Sequence, residues 1–194
     1  MSQRLQFRGH NYRLYTPKSQ RREFRMAVAG LWRDVTTVIR YLAEKGIDPV
    51  VVGGLAVQHH GVERLTEDID ILISRAAYTK LVEEGKIKFG QLKIIPGTEI
   101  DVLTEGKDNN PDPEFIRAGD SNFPTFAGLI YLKLKANRLK DRGDVAELLK
   151  AHEFNIEEQQ EILTFLPEEL KIRFLAIWDE AGQEHDKRKQ MVEE

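Results

Sequence analysis

The amino-acid sequence predicts an α/β (α+β) architecture, a small mixed β-sheet flanked by helices, with a helical C-terminal part. Three observations predict it. Phe24, Val28, Leu31, Val35, Val38 and Leu42 recur at steps of four and three, which is helical spacing. Short β-branched runs bounded by glycine and proline recur between residues 49 and 103, which is strand spacing. Beyond residue 125 the pattern is helical and increasingly charged. The 194 residues suffice for one domain, or a small domain with a helical appendage.

Each element has its own signal. Residues 22–45 read as a helix with Gly46 as a C-cap. Pro49-Val50-Val51-Val52 reads as a short buried strand. Gly53-Gly54 ends it, and Leu55 to His60 reads as a short helix. Residues 67–73 alternate as a strand, with Asp68 and Asp70 on one face and Ile69, Ile71 and Ile73 on the other. Residues 75–84 read as a helix, and 91–95 and 99–103 as two strands around the turn Pro96-Gly97. Residues 105–124 form a polar loop too long for an ordinary turn. Phe126 to Leu139 and Asp144 to Ala151 read as helices, as does the tail over 156–189. Asp141 and Gly143 suggest the break between the first two, with Asp141 as N-cap and Asp144 at the third helical position. Three parts follow: an arm over 1–21, a core over 22–124 and a helical part over 125–194.

Composition narrows the function. The chain has no cysteine, which excludes a disulfide framework, a thiolate metal site and a thiol nucleophile. The net charge of −3 gives no global field for nucleic acid. The longest apolar run, Val50 to Val57, is far short of the roughly 20 residues of a membrane span. No signal segment is legible behind Met1, so a soluble, cytoplasmic protein is expected. The arm over 1–25 is basic, with seven Lys and Arg against Glu23. Such an arm suits either contact with a phosphate backbone or a solvated segment paired with the acidic tail.

The chemistry concentrates in residues 50–74. Glycines at a strand–helix junction let backbone N–H groups approach an anion, and the helix start adds partial positive charge. Asp68 and Asp70 repel each other across one strand face, by about 3 kcal/mol at about 6 Å and an effective dielectric of 20. Aspartate is also a poor strand former. A shared divalent cation removes that objection, and oxygen-seeking Mg²⁺ suits two carboxylates.

Gly53-Gly54 followed by Arg64, Thr66, Asp68 and Asp70 resembles the signature of the nucleotidyltransferase superfamily, whose fold is that of the DNA polymerase beta-like proteins. The run Arg-x-Thr-x-Asp-x-Asp is similar to that of the minimal, AbiEii-type nucleotidyltransferase toxins. Leu132 to Val145 resembles their Lys-Leu-x-Ala-x-Arg…Asp-x-x-Asp helical motif, so the likeness spans about 50–150.

This resemblance implies a nucleotidyltransferase fold and transfer of a nucleoside monophosphate from a nucleoside triphosphate to a hydroxyl. It implies Mg²⁺, two ions, held by Asp68, Asp70 and a third carboxylate on a neighbouring strand. Asp101 fits that third position and Glu99 is its rival. Gly53 and Gly54 would line the triphosphate. Arg64 and Lys133 are the candidate countercharges, with Lys135 as rival to Lys133. Thr66 and Asp144 complete the candidate nucleotide-binding set, although a strand role for Thr66 and a helix-start role for Asp144 compete. The acceptor classes are the tRNA 3′ end, another RNA, a protein or a small molecule. A toxin would require a cognate antitoxin. The alternative is an inactive nucleotide-binding or protein-interaction module of the same fold. His59-His60 read as a helix C-terminus, not a metal site, and Trp32 and Trp178 as packing residues.

Overall fold

The computed structural model describes the backbone of residues 18–193 and the side chains of residues 30–183. The basic arm lies outside the described residues except for the start of the first helix. The chain divides into two compact units, Met1–Pro124 and Thr125–Glu194.

The first unit is built on a five-stranded mixed sheet whose strands lie in the order β1 (Val50–Val52), β2 (Asp68–Ile73), β5 (Glu99–Thr104), β4 (Gln91–Leu92) and β3 (Ile87–Lys88). Helix α1 (Lys18–Ala43) buries Val35, Val38 and Leu42 at the spacing read from the sequence. It ends in a Schellman motif: Gly46, at φ +68°, donates to the Ala43 carbonyl, and Ile47 to that of Leu42. Strand β1 (Val50–Val52) is fully buried and runs straight into α2 (Gly53–His59). Strand β2 (Asp68–Ile73) pairs antiparallel with β1 and parallel with β5 (Glu99–Thr104). Ile69, Ile71 and Ile73 of β2 and Ile100 and Val102 of β5 join one apolar core with residues of α1 and with Leu81 of α3 (Arg75–Glu83). Ser74 starts α3 by accepting the Ala77 N–H at 3.3 Å.

The region before β5 differs from the sequence reading. The hairpin is β3 (Ile87–Lys88) and β4 (Gln91–Leu92), turning at Phe89-Gly90. Pro96-Gly97 lies in the longer connection from β4 to β5, and those strands pair antiparallel only at Gln91 opposite Asp101. A two-residue strand leaves no periodic pattern in the sequence, and Pro96-Gly97 supplies the turn around which 91–95 and 99–103 read as strands.

Residues 105–124 are more ordered than a polar loop. They contain a 3-10 turn (Lys107–Asn109) and helix α4 (Pro113–Ile116), which Asp112 caps by accepting the Glu114 N–H at 2.9 Å. Arg117, only 9% exposed, donates to the carbonyls of Asp48, Pro49 and Ser121 and pairs with Glu114. Asn122 accepts the Val51 N–H and donates to the Pro49 carbonyl. The segment thus covers the open edge of β1, where unpaired strand groups would otherwise face solvent.

The second unit is helical. Helix α5 (Phe126–Ala136) begins at the Thr125 N-cap and ends at Asn137, at φ +51°. Helix α6 (Leu139–Ala151) follows immediately. The break therefore falls at Asn137-Arg138, not near Gly143. Asp141 is the third residue of α6 and not its N-cap, and its carboxylate accepts the backbone N–H of the N-cap residue, Arg138, at 3.3 Å. Asparagine tolerates the left-handed conformation that ends α5. The tail, read as helical over 156–189, consists of helices α7 (Ile156–Phe165) and α8 (Glu168–Glu193), divided at Leu166-Pro167. Leu134, Val145, Leu148, Ile162 and Phe174 are buried, and Trp178 packs against Phe154 and Phe174. Among the described residues no helix is long and apolar enough to cross a membrane.

Candidate active site

Sheet register assembles the site. Asp68 and Asp70 point to the same side of β2 because they are two residues apart. In the parallel β2–β5 ladder Asp70 lies opposite Asp101, so the two strands present their carboxylates side by side. One oxygen from each of Asp68, Asp70 and Asp101 lies within 4.8 Å of the others, and all three residues are half-buried. Glu99 lies opposite Asp68 at the start of β5, but it is exposed and stands outside this group.

The glycine pair is fixed by the same register. Val52 pairs with Asp70, which brings the next residue, Gly53, against the Asp70 carboxylate. A Cβ on Gly53 would lie 1.8 Å from Asp70 Oδ2, and Gly53 has φ +66°. A Cβ on Gly54 would lie 2.5 Å from Thr66 Oγ1. No L side chain fits either place without displacing a neighbour. The sequence reading asked for glycine so that an anion could approach; close packing against Asp70 and Thr66 already demands it.

Two further hydrogen bonds reach the carboxylates. Thr66 Oγ1 donates to Asp68 Oδ1 at 2.7 Å. Gln91 Nε2, on β4, donates to Asp101 Oδ1 at 3.0 Å, and Lys93 Nζ donates to Gln91 Oε1. Arg64 is half-buried in the loop that leads into β2, and its carbonyl accepts from Gln58 Nε2 at 2.6 Å. Gln58 Oε1 accepts from Trp32 Nε1 at 2.9 Å, tying α1 and α2 to the loop that delivers Thr66 and Asp68. His59 stacks on Phe123, and His60 Nε2 lies 3.0 Å from the Pro124 carbonyl.

Lys133 and Asp144 belong to the second unit. The Lys133 ammonium, 5% exposed, donates to Asp144 Oδ2 at 2.7 Å and to Asp141 Oδ1 at 3.3 Å. Arg138 Nε donates to Asp141 Oδ2 at 2.6 Å. Burial pushes the Asp141 carboxyl up, but the Arg138 hydrogen bond and the Lys133 and Arg138 charges outweigh it and hold it below the usual carboxylate range. Lys135, the rival to Lys133, stands 5.9 Å from the centre of the Tyr131 ring.

Gln91 was not legible as a site residue. It lies on a strand too short to announce itself, and its link to Asp101 comes from pairing ten residues apart. Arg117 was equally silent, because its partners at Asp48 and Pro49 are almost 70 residues away in the chain.

The donor set is all oxygen and all carboxylate, which suits a hard divalent cation. Residues 31–86 match a family described as "Nucleotidyl transferase of unknown function (DUF2204)". The match supports a nucleotidyltransferase at the level of the superfamily. It covers Gly53, Gly54, Arg64, Thr66, Asp68 and Asp70, and stops before Asp101. It carries no subgroup. A search of curated proteins finds no match.

Proposed function

We propose that the chain is a Mg²⁺-dependent nucleotidyltransferase that moves a nucleoside monophosphate from a nucleoside triphosphate to an acceptor hydroxyl. The observation that carries this reading is the group of three carboxylates on two adjacent parallel strands, with a side-chain-free Gly53-Gly54 turn beside them. Asp68, Asp70 and Asp101 would hold the cation. When bound, it would offset negative charge on the α-phosphate and on the attacking and leaving oxygens. Gly53 and Gly54 would leave the backbone as the surface that a phosphate meets, and Arg64 would add positive charge. Asp101 would take the proton of the acceptor hydroxyl as its oxygen bonds to the α-phosphorus. The bond from that phosphorus to the β-phosphate bridging oxygen breaks, and pyrophosphate leaves.

The similarity to AbiEii-type enzymes extends the proposal to a cytoplasmic toxin restrained by an antitoxin, acting on the tRNA 3′ end, another RNA, a protein or a small molecule. The basic arm favours RNA among these acceptors.

The test offers the full chain each α-labelled nucleoside triphosphate with Mg²⁺, total RNA and a cell lysate, beside Asp68→Ala/Asp70→Ala. Label transferred by the wild type alone is the expected result, and the labelled band names the acceptor class. Absence of both transfer and Mg²⁺-dependent triphosphate binding would overturn the proposal.

A further inference from the structure

We propose that Thr66 and Gln91 are positioning residues, each holding one oxygen of an outer carboxylate so that Asp68 and Asp101 each turn a single free oxygen to the cation. The inference rests on the metal-dependent reading above and adds to it which residues set the geometry of the ligands.

A carboxylate on a flexible χ2 can offer either oxygen, or both at once. The Thr66 hydroxyl occupies Asp68 Oδ1 at 2.7 Å, and the Gln91 amide occupies Asp101 Oδ1 at 3.0 Å. Both donors are neutral. They fix the carboxylates without cancelling the negative charge that a cation needs, as a lysine or arginine in their place would.

Each donor is itself held. Thr66 lies against Gly54, where a Cβ would come within 2.6 Å of the Thr66 Cβ. This contact leaves the hydroxyl little room to swing away from Asp68. For Gln91 the Lys93 ammonium settles which way the amide faces. An ammonium only donates, so Oε1 must face Lys93 and the NH₂ group must face Asp101. The pairing of Gln91 with Asp101 across β4 and β5 puts donor and acceptor on neighbouring strands. The third carboxylate, Asp70, is confined by the backbone of Gly53. Every member of the group therefore has a neighbour that limits its rotation, which is how outer partners tune a metal site.

Mn²⁺ affinity tests this without any need for the acceptor. The full-length wild type, Thr66→Val, Thr66→Ser, Gln91→Leu and Asp70→Asn are titrated with Mn²⁺, and free ion is read by electron paramagnetic resonance. Metal-free melting curves confirm that each variant is folded. Thr66→Val and Gln91→Leu are expected to bind about 10- to 100-fold more weakly. Thr66→Ser, which keeps the hydroxyl, should stay within about threefold of the wild type, a rescue that a packing role alone would not produce. Binding by Thr66→Val and Gln91→Leu within about twofold of the wild type, with Asp70→Asn still abolishing it, would overturn the inference and leave the metal site intact. A wild type whose Mn²⁺ binding is absent, or unaffected by Asp70→Asn, would instead overturn the metal site and this inference with it.

Discussion

Asp70→Asn is expected to cut nucleotidyl transfer by about 10³-fold or more while making the metal-free protein more stable. The loss follows from removing the central ligand of the three. Charge stabilisation worth several kcal/mol disappears from the transition state, and each 1.36 kcal/mol is about tenfold in rate. The gain has the opposite origin. Three carboxylate oxygens within 4.8 Å repel one another when no cation lies between them. At about 5 Å and an effective dielectric of 20, each pair costs about 3 kcal/mol, and solvent at this half-buried site reduces it. A net rise of about 1 kcal/mol, or roughly 2–4 °C in melting temperature, is the expected outcome. Mg²⁺ and triphosphate at about 100 times their dissociation constant should stabilise the wild type by about 2.7 kcal/mol and leave the variant unmoved. Transfer from an α-labelled triphosphate reads the loss of activity, and scanning calorimetry with and without both ligands reads the stability changes. An equal ligand-induced shift in both proteins would count against Asp70 as a ligand.

The second large effect is structural and lies in the helical unit. Lys133→Met should cost about 3–5 kcal/mol, because it leaves the buried Asp141 and Asp144 without the ammonium they share. The Arg138 contact to Asp141 survives and sets the lower end of that range. Asp144→Asn in the same chain should recover part of the loss, so that the double variant costs less than the sum of the singles. Acid stability should move as well. The Asp141 carboxyl is held below its ordinary value, so its contribution is present above the unfolded-state value, about 3.9, and is lost as pH falls through the lower folded value. Without Lys133 that folded value rises and acid unfolding begins at higher pH. Trp178 packs inside this unit, and its fluorescence in a Trp32→Phe background reports the transition. A cost below about 1 kcal/mol would show that the cluster is effectively solvated.

What could be read from the sequence follows from how local each signal is. The alternation at 68–73 depends only on the pleat, and the strand and its two faces are where it predicts. The α1 stripe at Val35, Val38 and Leu42 and the Gly46 ending are likewise local and correct, while Phe24 and Val28 lie outside the residues whose side chains the structure describes. Choosing Asp101 over Glu99 required a register between strands about 30 residues apart, which periodicity cannot supply. The Phe89-Gly90 hairpin was missed because two strands of two residues leave no pattern and Pro96-Gly97 offered a stronger turn signal. The α5–α6 break lies earlier than Asp141 and Gly143 suggested because Asn137, in the left-handed conformation, ends α5 without a glycine. Gln91 and Arg117 were invisible for a related reason. A polar side chain whose partner is set by tertiary pairing looks like any other surface residue in the sequence.

The most direct measurement is a crystal of the full chain grown with Mn²⁺ and a non-hydrolysable nucleoside triphosphate, examined by anomalous scattering at the manganese edge. The account predicts an anomalous peak bound by oxygens of Asp68, Asp70 and Asp101, with the triphosphate beside Gly53-Gly54. A triphosphate and its manganese bound elsewhere, with the three carboxylates facing only solvent, would contradict it.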